Sequence, residues 1–241
     1  MNVQIPIPKL PWNIYWINLD RRKDRKKHME NILSKNINYR ISAIDYKNNF
    51  EPYKFISRYN MRGPQYACTL SHIKAIETYL NNEDDKNPYC FISEDDCYTD
   101  YCQYWQERHF DLFKETTNLD ILQMCTTSNH YNDCKLNIQN MSSSCTAFYM
   151  IKRNIAKDII NTYVEKEHLI NFNNSEHIPI TDNIIWKFGD TKLIPMISLS
   201  TIDVNFSDIS PNVNVYENIY WENYFKNSIN KYLNYWKKLE N

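Results

Sequence analysis

The sequence predicts an α/β fold in which strands and helices alternate around a central sheet. Short apolar runs that end in polar residues, as buried strands do, occupy residues 14–17, 90–92 and 119–124. Stretches with apolar residues at helical spacing, such as 65–80, lie between them. With 42% hydrophobic and 15% aromatic residues in a chain of 241, the protein has ample material for a core. The alternation predicts a three-layer domain.

The first predicted strand, residues 14–17, leads into a predicted helix over residues 21–34 that Asp20 is placed to cap. The first turns of this helix are crowded with basic residues, which the macrodipole disfavours at that end. They are Arg21, Arg22, Lys23, Arg25, Lys26 and Lys27. For the lysines a solvated charged face is the preferred interpretation. The arginines favour an anion site at the strand-to-helix turn.

A second strand is predicted at residues 40–45, followed by a polar loop and a helix over residues 65–80. Ser71 and His72 lie in this helix. A lone histidine in a helix is more often a structural residue than a ligand. Both predicted strands end in polar residues, and ligands of open α/β sheets bind at that edge.

Three consecutive carboxylates, Glu94, Asp95 and Asp96, follow the strand at residues 90–92. Adjacent acids repel one another, so they must face water or meet a cation. Such oxygen ligands suit Mg²⁺ or Mn²⁺, which leave coordination positions open for phosphate. Taken alone, the stretch fits an acidic surface turn equally well.

Strands are predicted at residues 119–124 and 145–151, with a polar loop over residues 126–144 that would cover the active face. Residues 98–113 are predicted to be partly helical, and a helix is predicted at residues 154–164.

After a loop at residues 168–179, Thr181 is predicted to cap a short helix that holds Asp182 and ends at Gly189. Asp182 in the first turn has an ordinary explanation, since an acid there complements the helix dipole. A late strand at residues 193–197 contains a proline and should lie at an edge.

The remaining tail is rich in Tyr and Trp, and residues 216–239 carry an apolar stripe at helical spacing. We predict a domain over residues 1–211 and a helical extension over residues 212–241 that packs on it. A homodimer contact or a membrane-surface helix are the alternatives for this stripe.

Composition narrows the classes of function. A net charge of −1 offers no field that would attract nucleic acid, and two glycines are too few for a glycine-rich phosphate loop. Seven cysteines without a CxxC pair predict reduced thiols and a cytoplasmic location. Neither a signal peptide nor an apolar run long enough to form a transmembrane segment is expected.

Five segments in this order resemble glycosyltransferase family 25, which contains bacterial lipooligosaccharide galactosyltransferases, collagen hydroxylysine galactosyltransferases and giant-virus relatives. They are Ile-Asn-Leu-Asp-Arg-Arg at 17–22 with Arg25, Ala-Ile-Asp at 43–45, Ala-Cys-Thr-Leu-Ser-His at 67–72, Ile-Ser-Glu-Asp-Asp at 92–96 and Ala-Phe-Tyr at 147–149. Residues 180–182 and 207–208 are similar to its later, less specific segments. The chain departs from the pattern at Ala67, where the family often has glycine, and lacks the usual glycine in the loop after Asp45.

The resemblance implies a single domain of the GT-A type with a mixed, mostly parallel sheet flanked by helices. It implies an inverting transfer of galactose or glucose from a UDP-sugar to a hydroxyl of a glycan or glycoprotein, in the host cytoplasm if the protein is viral. Mn²⁺ or Mg²⁺ would be held by Asp96, with Glu94 as the second ligand. The nucleotide side would be lined by Asn18, Asp20, Arg21, Arg25, Ser71, His72 and Asp95. The base that deprotonates the acceptor would be Asp182, with Asp95 and Asp208 as rivals.

Two other functions fit parts of the sequence. A non-catalytic UDP-sugar or glycan-binding module would share the fold, although the intact acidic cluster argues against it. A metal-dependent phosphodiesterase or nuclease would need further His or Asp ligands, and the six histidines show no paired spacing.

Overall fold

The computed structural model of the protein describes residues 6–48, 54–96, 119–124 and 145–193. In these ranges the chain forms eight β-strands and four α-helices. The strands are β1 (Ile14–Asn18), β2 (Asn38–Ser42), β3 (Phe55–Ile56), β4 (Tyr89–Glu94), β5 (Ile121–Gln123), β6 (Phe148–Lys152), β7 (Ile170–Asn171) and β8 (Thr191–Leu193). The helices are α1 (Lys23–Ile32), α2 (Gly63–Asn81), α3 (Arg153–Tyr163) and α4 (Thr181–Ile185). The predicted α/β class is confirmed.

Six of these strands form one sheet in the order β2-β1-β4-β6-β5-β8. Strand β1 is parallel to β2 and β4, and β5 is parallel to β8, whereas β6 runs antiparallel to both of its neighbours. The sheet is therefore mixed and mostly parallel, as expected. The carboxyl ends of β1, β2 and β4 meet at one edge, and the amino end of β6 joins them there.

Both faces of the sheet are buried, because the strands are apolar on both sides. Tyr15 of β1 packs with Leu70 of α2 on one face, and its neighbour Trp16 packs with Met29 of α1 on the other. Successive strand residues point to opposite faces, so a continuous apolar run fills two cores at once.

Two segments predicted as loops each contain a short strand. Strand β3 pairs in parallel with β7. The pair is held beside α2 by an aromatic cluster, in which Phe55 lies 4.6 Å from Tyr66 and 5.9 Å from Phe172 between ring centroids. Because this cluster joins residues far apart in the chain, local sequence patterns do not reveal it.

Two predicted helix caps are wrong. Helix α1 begins after Arg22 without a side-chain cap, and Asp20 instead accepts hydrogen bonds from Ser42 at 2.7 Å and from Arg40. These charged and hydroxyl partners come from β2, and they compete successfully with the backbone N–H groups of α1. Thr181 is the first residue of α4 and not its cap, which is Ile180.

The end of α4 also differs from the prediction, because the helix stops at Ile185, before Gly189. Gly189 adopts a φ of +75° in a later turn, where a Cβ atom would lie 2.6 Å from the side chain of Asp120. The glycine thus permits a close approach to the β5 segment and does not end the helix.

Two strands begin two residues before their predicted positions. Strand β2 begins at Asn38, whose Oδ1 accepts a hydrogen bond from Trp16 Nε1 at 3.0 Å, and stops at Ser42. Strand β8 is the last strand of the sheet that the described residues form, and it begins at Thr191, while residues 194–197 of the predicted strand lie outside the described residues.

Four other predictions lie outside the described residues. They are the partly helical stretch 98–113, the loop 126–144, the helix 216–239 and the domain boundary at 211/212. None of the described helices is both long and apolar enough to cross a membrane.

Candidate active site

A cavity with an empty volume of about 620 Å³ opens at the sheet edge where β1, β2 and β4 end. Its polar lining consists of Asn18, Arg21, Arg25, Asp45, Cys68, Ser71, His72, Glu94, Asp95 and Asp96, and its apolar lining of Ile17, Leu19, Ala43, Ile44, Tyr46, Pro64 and Ala67. Eight of the ten residues predicted for the site therefore lie together on its wall.

Asn18 connects three parts of the site. It is 1% exposed, and its Nδ2 donates to Asp95 Oδ2 at 2.6 Å and to the carbonyl oxygen of Arg22 at 3.2 Å. Its Oδ1 accepts from Arg40 Nε at 2.9 Å. Asn18 thus fixes the acidic turn after β4 relative to the turn after β1.

The arginines at the start of α1 face carboxylates of the same chain. Arg25 Nη1 lies 2.8 Å from Asp95 Oδ1 and 3.4 Å from Asp96 Oδ2, and these three side chains are only 10–12% exposed. On the rim, Arg21 Nε donates to Asp45 Oδ2 at 2.7 Å. These carboxylates explain why basic residues tolerate the positive end of the helix dipole.

Asp95 and Asp96 share an acidic turn but have different surroundings. Burial raises the pKa of Asp95, although Arg25 and Asn18 oppose that shift. Burial and the negative charge of Glu94 raise the pKa of Asp96 to about 7. Asp96 Oδ1 is buried and has no hydrogen-bond partner among the described residues. An oxygen left in this state fits a cation ligand, since an unsatisfied buried polar atom is otherwise costly.

Glu94 is held by two side chains at the cavity, those of His72 and Thr146. His72 Nε2 lies 3.3 Å from Glu94 Oε1, which also accepts from Thr146 Oγ1 at 3.2 Å. Burial disfavours the charged carboxylate, but these hydrogen bonds, together with the electrostatic attraction of His72 and Arg25, outweigh it and lower the pKa of Glu94. His72 Nδ1 lies 3.1 Å from the Tyr149 hydroxyl. The ring of His72 therefore bridges α2, β4 and β6.

Ser71 supports the cavity wall. Its hydroxyl donates to the carbonyl oxygen of Ala67 at 2.6 Å and accepts the backbone N–H of Ile44 at 2.9 Å. These bonds tie the segment after β2 to helix α2. Ser71 therefore shapes the cavity by fixing the backbone after β2 against helix α2.

Two predicted site residues lie off the cavity wall. Asp20 is exposed in the turn after β1, where it pairs with Arg40. Asp182 accepts the backbone N–H of Cys145 at 2.7 Å through Oδ1. Burial raises the pKa of Asp182 despite that bond. The rival base Asp208 lies outside the described residues.

Sequence analysis missed Cys68, Arg40, Thr146 and Tyr149 as members of the site. The sequence carried a signal for Cys68, because Cys68 and His72 are four residues apart and share one face of α2. Thr146 and Tyr149 reach the site only through the pairing of β4 with β6, which no local pattern contains.

One comparison with known proteins identifies a relationship. A family model described as glycosyltransferase family 25 (LPS biosynthesis protein) matches residues 12–176. A search of curated proteins finds no match for the chain.

Proposed function

Because the chain belongs to glycosyltransferase family 25, we propose that it is a metal-dependent, inverting hexosyltransferase of the GT-A type. The donor is a UDP-sugar, carrying galactose or glucose, and the acceptor is a hydroxyl of a glycan or glycoprotein. The observation that carries the proposal is the cavity that Glu94, Asp95 and Asp96 line together with Arg21 and Arg25. This mixture of charges suits a cation together with a diphosphate.

The lining of the cavity contains groups that suit both parts of a nucleotide-sugar. Ala43, Ile44 and Tyr46 form an apolar wall for the flat face of a base. Arg21, at the rim with 35% of its side chain exposed, can reach a diphosphate. Asn18 and Ser71 act as positioning residues that hold the loops around this space.

The divalent metal that the family implies fits Asp96 and Glu94. The buried Asp96 Oδ1 has no hydrogen-bond partner in the described part of the chain, and both carboxylates line the cavity. When bound, a divalent ion would stabilise the negative charge that develops on the UDP leaving group. Arg25 keeps Asp95 and Asp96 in place and offsets their mutual repulsion.

We propose Asp182 as the base that removes the acceptor proton. Its carboxylate is fixed where β6 begins, and burial raises its pKa toward the range useful for proton transfer. Asp95 is a poorer candidate, because both of its oxygens already accept hydrogen bonds from Arg25 and Asn18.

We also propose a cytoplasmic location, and a C-terminal helix that packs on the domain or forms a homodimer contact. Cys68 and Cys90 are free thiols, which supports a reducing compartment.

A panel of UDP-sugars tests the proposed reaction. UDP release is measured with Mn²⁺, with Mg²⁺ and with chelator, in the presence and absence of acceptor sugars. We expect release from UDP-galactose or UDP-glucose that requires the metal and is stimulated by acceptor. Tight UDP binding without turnover of any donor would favour a binding module, and metal-independent turnover would contradict the proposed role of Asp96.

Two substitutions separate the proposed roles. Asp96→Asn should lower turnover at least 100-fold and weaken UDP binding in the presence of Mn²⁺, because one ligand to the ion is lost. Asp182→Asn should lower turnover to a similar degree while the Kd for UDP stays within about twofold of wild type. Glu83→Gln, in an exposed turn, is the control for loss of one negative charge. Loss of UDP binding in Asp182→Asn would assign Asp182 to the donor site instead.

A further inference from the structure

Three side chains of different chemistry converge on the wall of the cavity. Cys68 and His72 project from one face of α2, and Glu94 ends β4 beside them. One ligand atom from each, a sulfur, a ring nitrogen and a carboxylate oxygen, lies within 4.8 Å of the other two. The proposed transferase reaction gives no role to the thiol of Cys68.

The spacing of these atoms is close to that around a tetrahedral ion. Bond lengths of about 2.0–2.3 Å place neighbouring ligand atoms about 3.4–3.6 Å apart. His72 Nε2 and Glu94 Oε1 already lie 3.3 Å apart. The sulfur of half-buried Cys68 lies within 4.8 Å of these two atoms, so it would have to approach them by about 1 Å at most.

Each of the three candidate ligands also has an outer partner. His72 Nδ1 faces the Tyr149 hydroxyl at 3.1 Å, so its Nε2 is the nitrogen that faces the cluster. Thr146 donates to Glu94 at 3.2 Å, and Thr181 Oγ1 lies 3.3 Å from Cys68 Sγ. Partners of this kind orient metal ligands.

We propose that Cys68, His72 and Glu94 form a zinc site with three protein ligands. Thiolate and imidazole donors favour Zn²⁺ over the harder Mg²⁺ and Mn²⁺, which prefer oxygen. The fourth coordination position would face the cavity that all three residues line. This site is distinct from the oxygen ligand at Asp96, and its existence does not depend on the proposed transferase reaction.

The two ions would not be independent if the proposed function is also correct. Glu94 is a candidate ligand of both ions. An ion bound by Cys68 and His72 would therefore compete for this carboxylate with the ion at Asp96. Zinc binding would then weaken Mn²⁺ binding at the same cavity.

Titration of reduced, metal-free protein with Zn²⁺ against a chromophoric chelator tests the site without any assay of activity. We expect one zinc equivalent to be lost, or weakened at least 100-fold, in both Cys68→Ala and His72→Asn. Cys90→Ala is the matched control, because Cys90 is another buried free thiol that lies outside the cluster. It should bind zinc as wild type does.

Cobalt provides a direct readout of the sulfur ligand. Co²⁺ bound to wild type should give a thiolate-to-metal charge-transfer band that Cys90→Ala keeps and Cys68→Ala loses. Thermal unfolding of each variant checks that the fold is retained. If Cys68→Ala does not fold, the zinc affinity of His72→Asn tests the site. Zinc affinity unchanged in either ligand variant, or a charge-transfer band that survives in Cys68→Ala, would overturn the proposal.

Discussion

Substitution of Asp96 by asparagine should stabilise the metal-free protein at pH 8, even though it removes a proposed metal ligand. The carboxyl of Asp96 is 12% exposed and lies near Glu94 and Asp95. Burial and these neighbouring charges raise its pKa to about 7 in the folded protein, whereas an unfolded aspartate has a pKa of about 3.9. Asparagine has nearly the same shape and never carries the charge.

The size of the effect follows from the pKa difference. Below about pH 3 the carboxyl is protonated in both states, so its titration does not affect stability. As the pH rises toward 7, the unfolded state ionises first, and the folded state loses stability relative to it. A difference of about three pKa units corresponds to roughly 4 kcal/mol at pH 8. For a protein of this size, that is a shift in Tm of roughly 10 °C.

Thermal unfolding of wild type and Asp96→Asn with chelator, at pH 4 and pH 8, measures this difference. We expect similar Tm values at pH 4 and a higher Tm for the variant at pH 8, with Glu83→Gln indistinguishable from wild type. Addition of Mn²⁺ should raise the Tm of wild type and leave that of the variant nearly unchanged. A lower Tm for Asp96→Asn at pH 8, or an equal shift at both pH values, would refute the argument.

Two further predictions concern stability. Arg25→Leu should lower the free energy of unfolding by about 3–5 kcal/mol in urea titrations, because it leaves the buried Asp95 carboxylate without its cation. An unchanged midpoint of the urea-unfolding curve would mean that this ion pair does not stabilise the fold. Gly189→Ala should cost about 1–3 kcal/mol, since its φ is +75° and the new Cβ would meet Asp120 at 2.6 Å. Gly63→Ala is the matched control, because a Cβ there makes only ordinary contacts, and equal losses in both glycine variants would contradict this explanation.

Local sequence was sufficient to predict the elements of the fold that have a continuous apolar pattern. Strands β1, β4 and β5 and helices α2 and α3 lie within a few residues of the predicted positions, because burial on both faces of the sheet requires uninterrupted apolar runs. The caps of α1 and α4 were predicted wrongly. Asp20 has partners in β2, and these were chosen by the fold and not by the neighbouring residues.

Sequence also predicted most of the candidate site, because its residues follow the carboxyl ends of strands. Asn18 and the Glu94-Asp95-Asp96 turn are adjacent in space since β1 and β4 pair in parallel. The sequence pattern did not reveal which of these carboxylates has hydrogen-bond partners for its oxygens. Asp95 receives hydrogen bonds from Arg25 and Asn18, whereas Asp96 Oδ1 receives none from the described residues.

The sequence by itself determined the α/β class, the family relationship and the kinds of side chain that lie at one sheet edge. Each of these depends on apolar runs, charges and motifs that consist of residues close together in the chain. Only the tertiary structure decided how those groups are paired. Cys68, His72 and Glu94 come together because α2 packs beside β4, and burial together with the charge of Glu94 raises the pKa of Asp96 to about 7. Pairing and burial depend on residues that are distant in the chain, and electrostatic energies in a low-dielectric interior depend strongly on both.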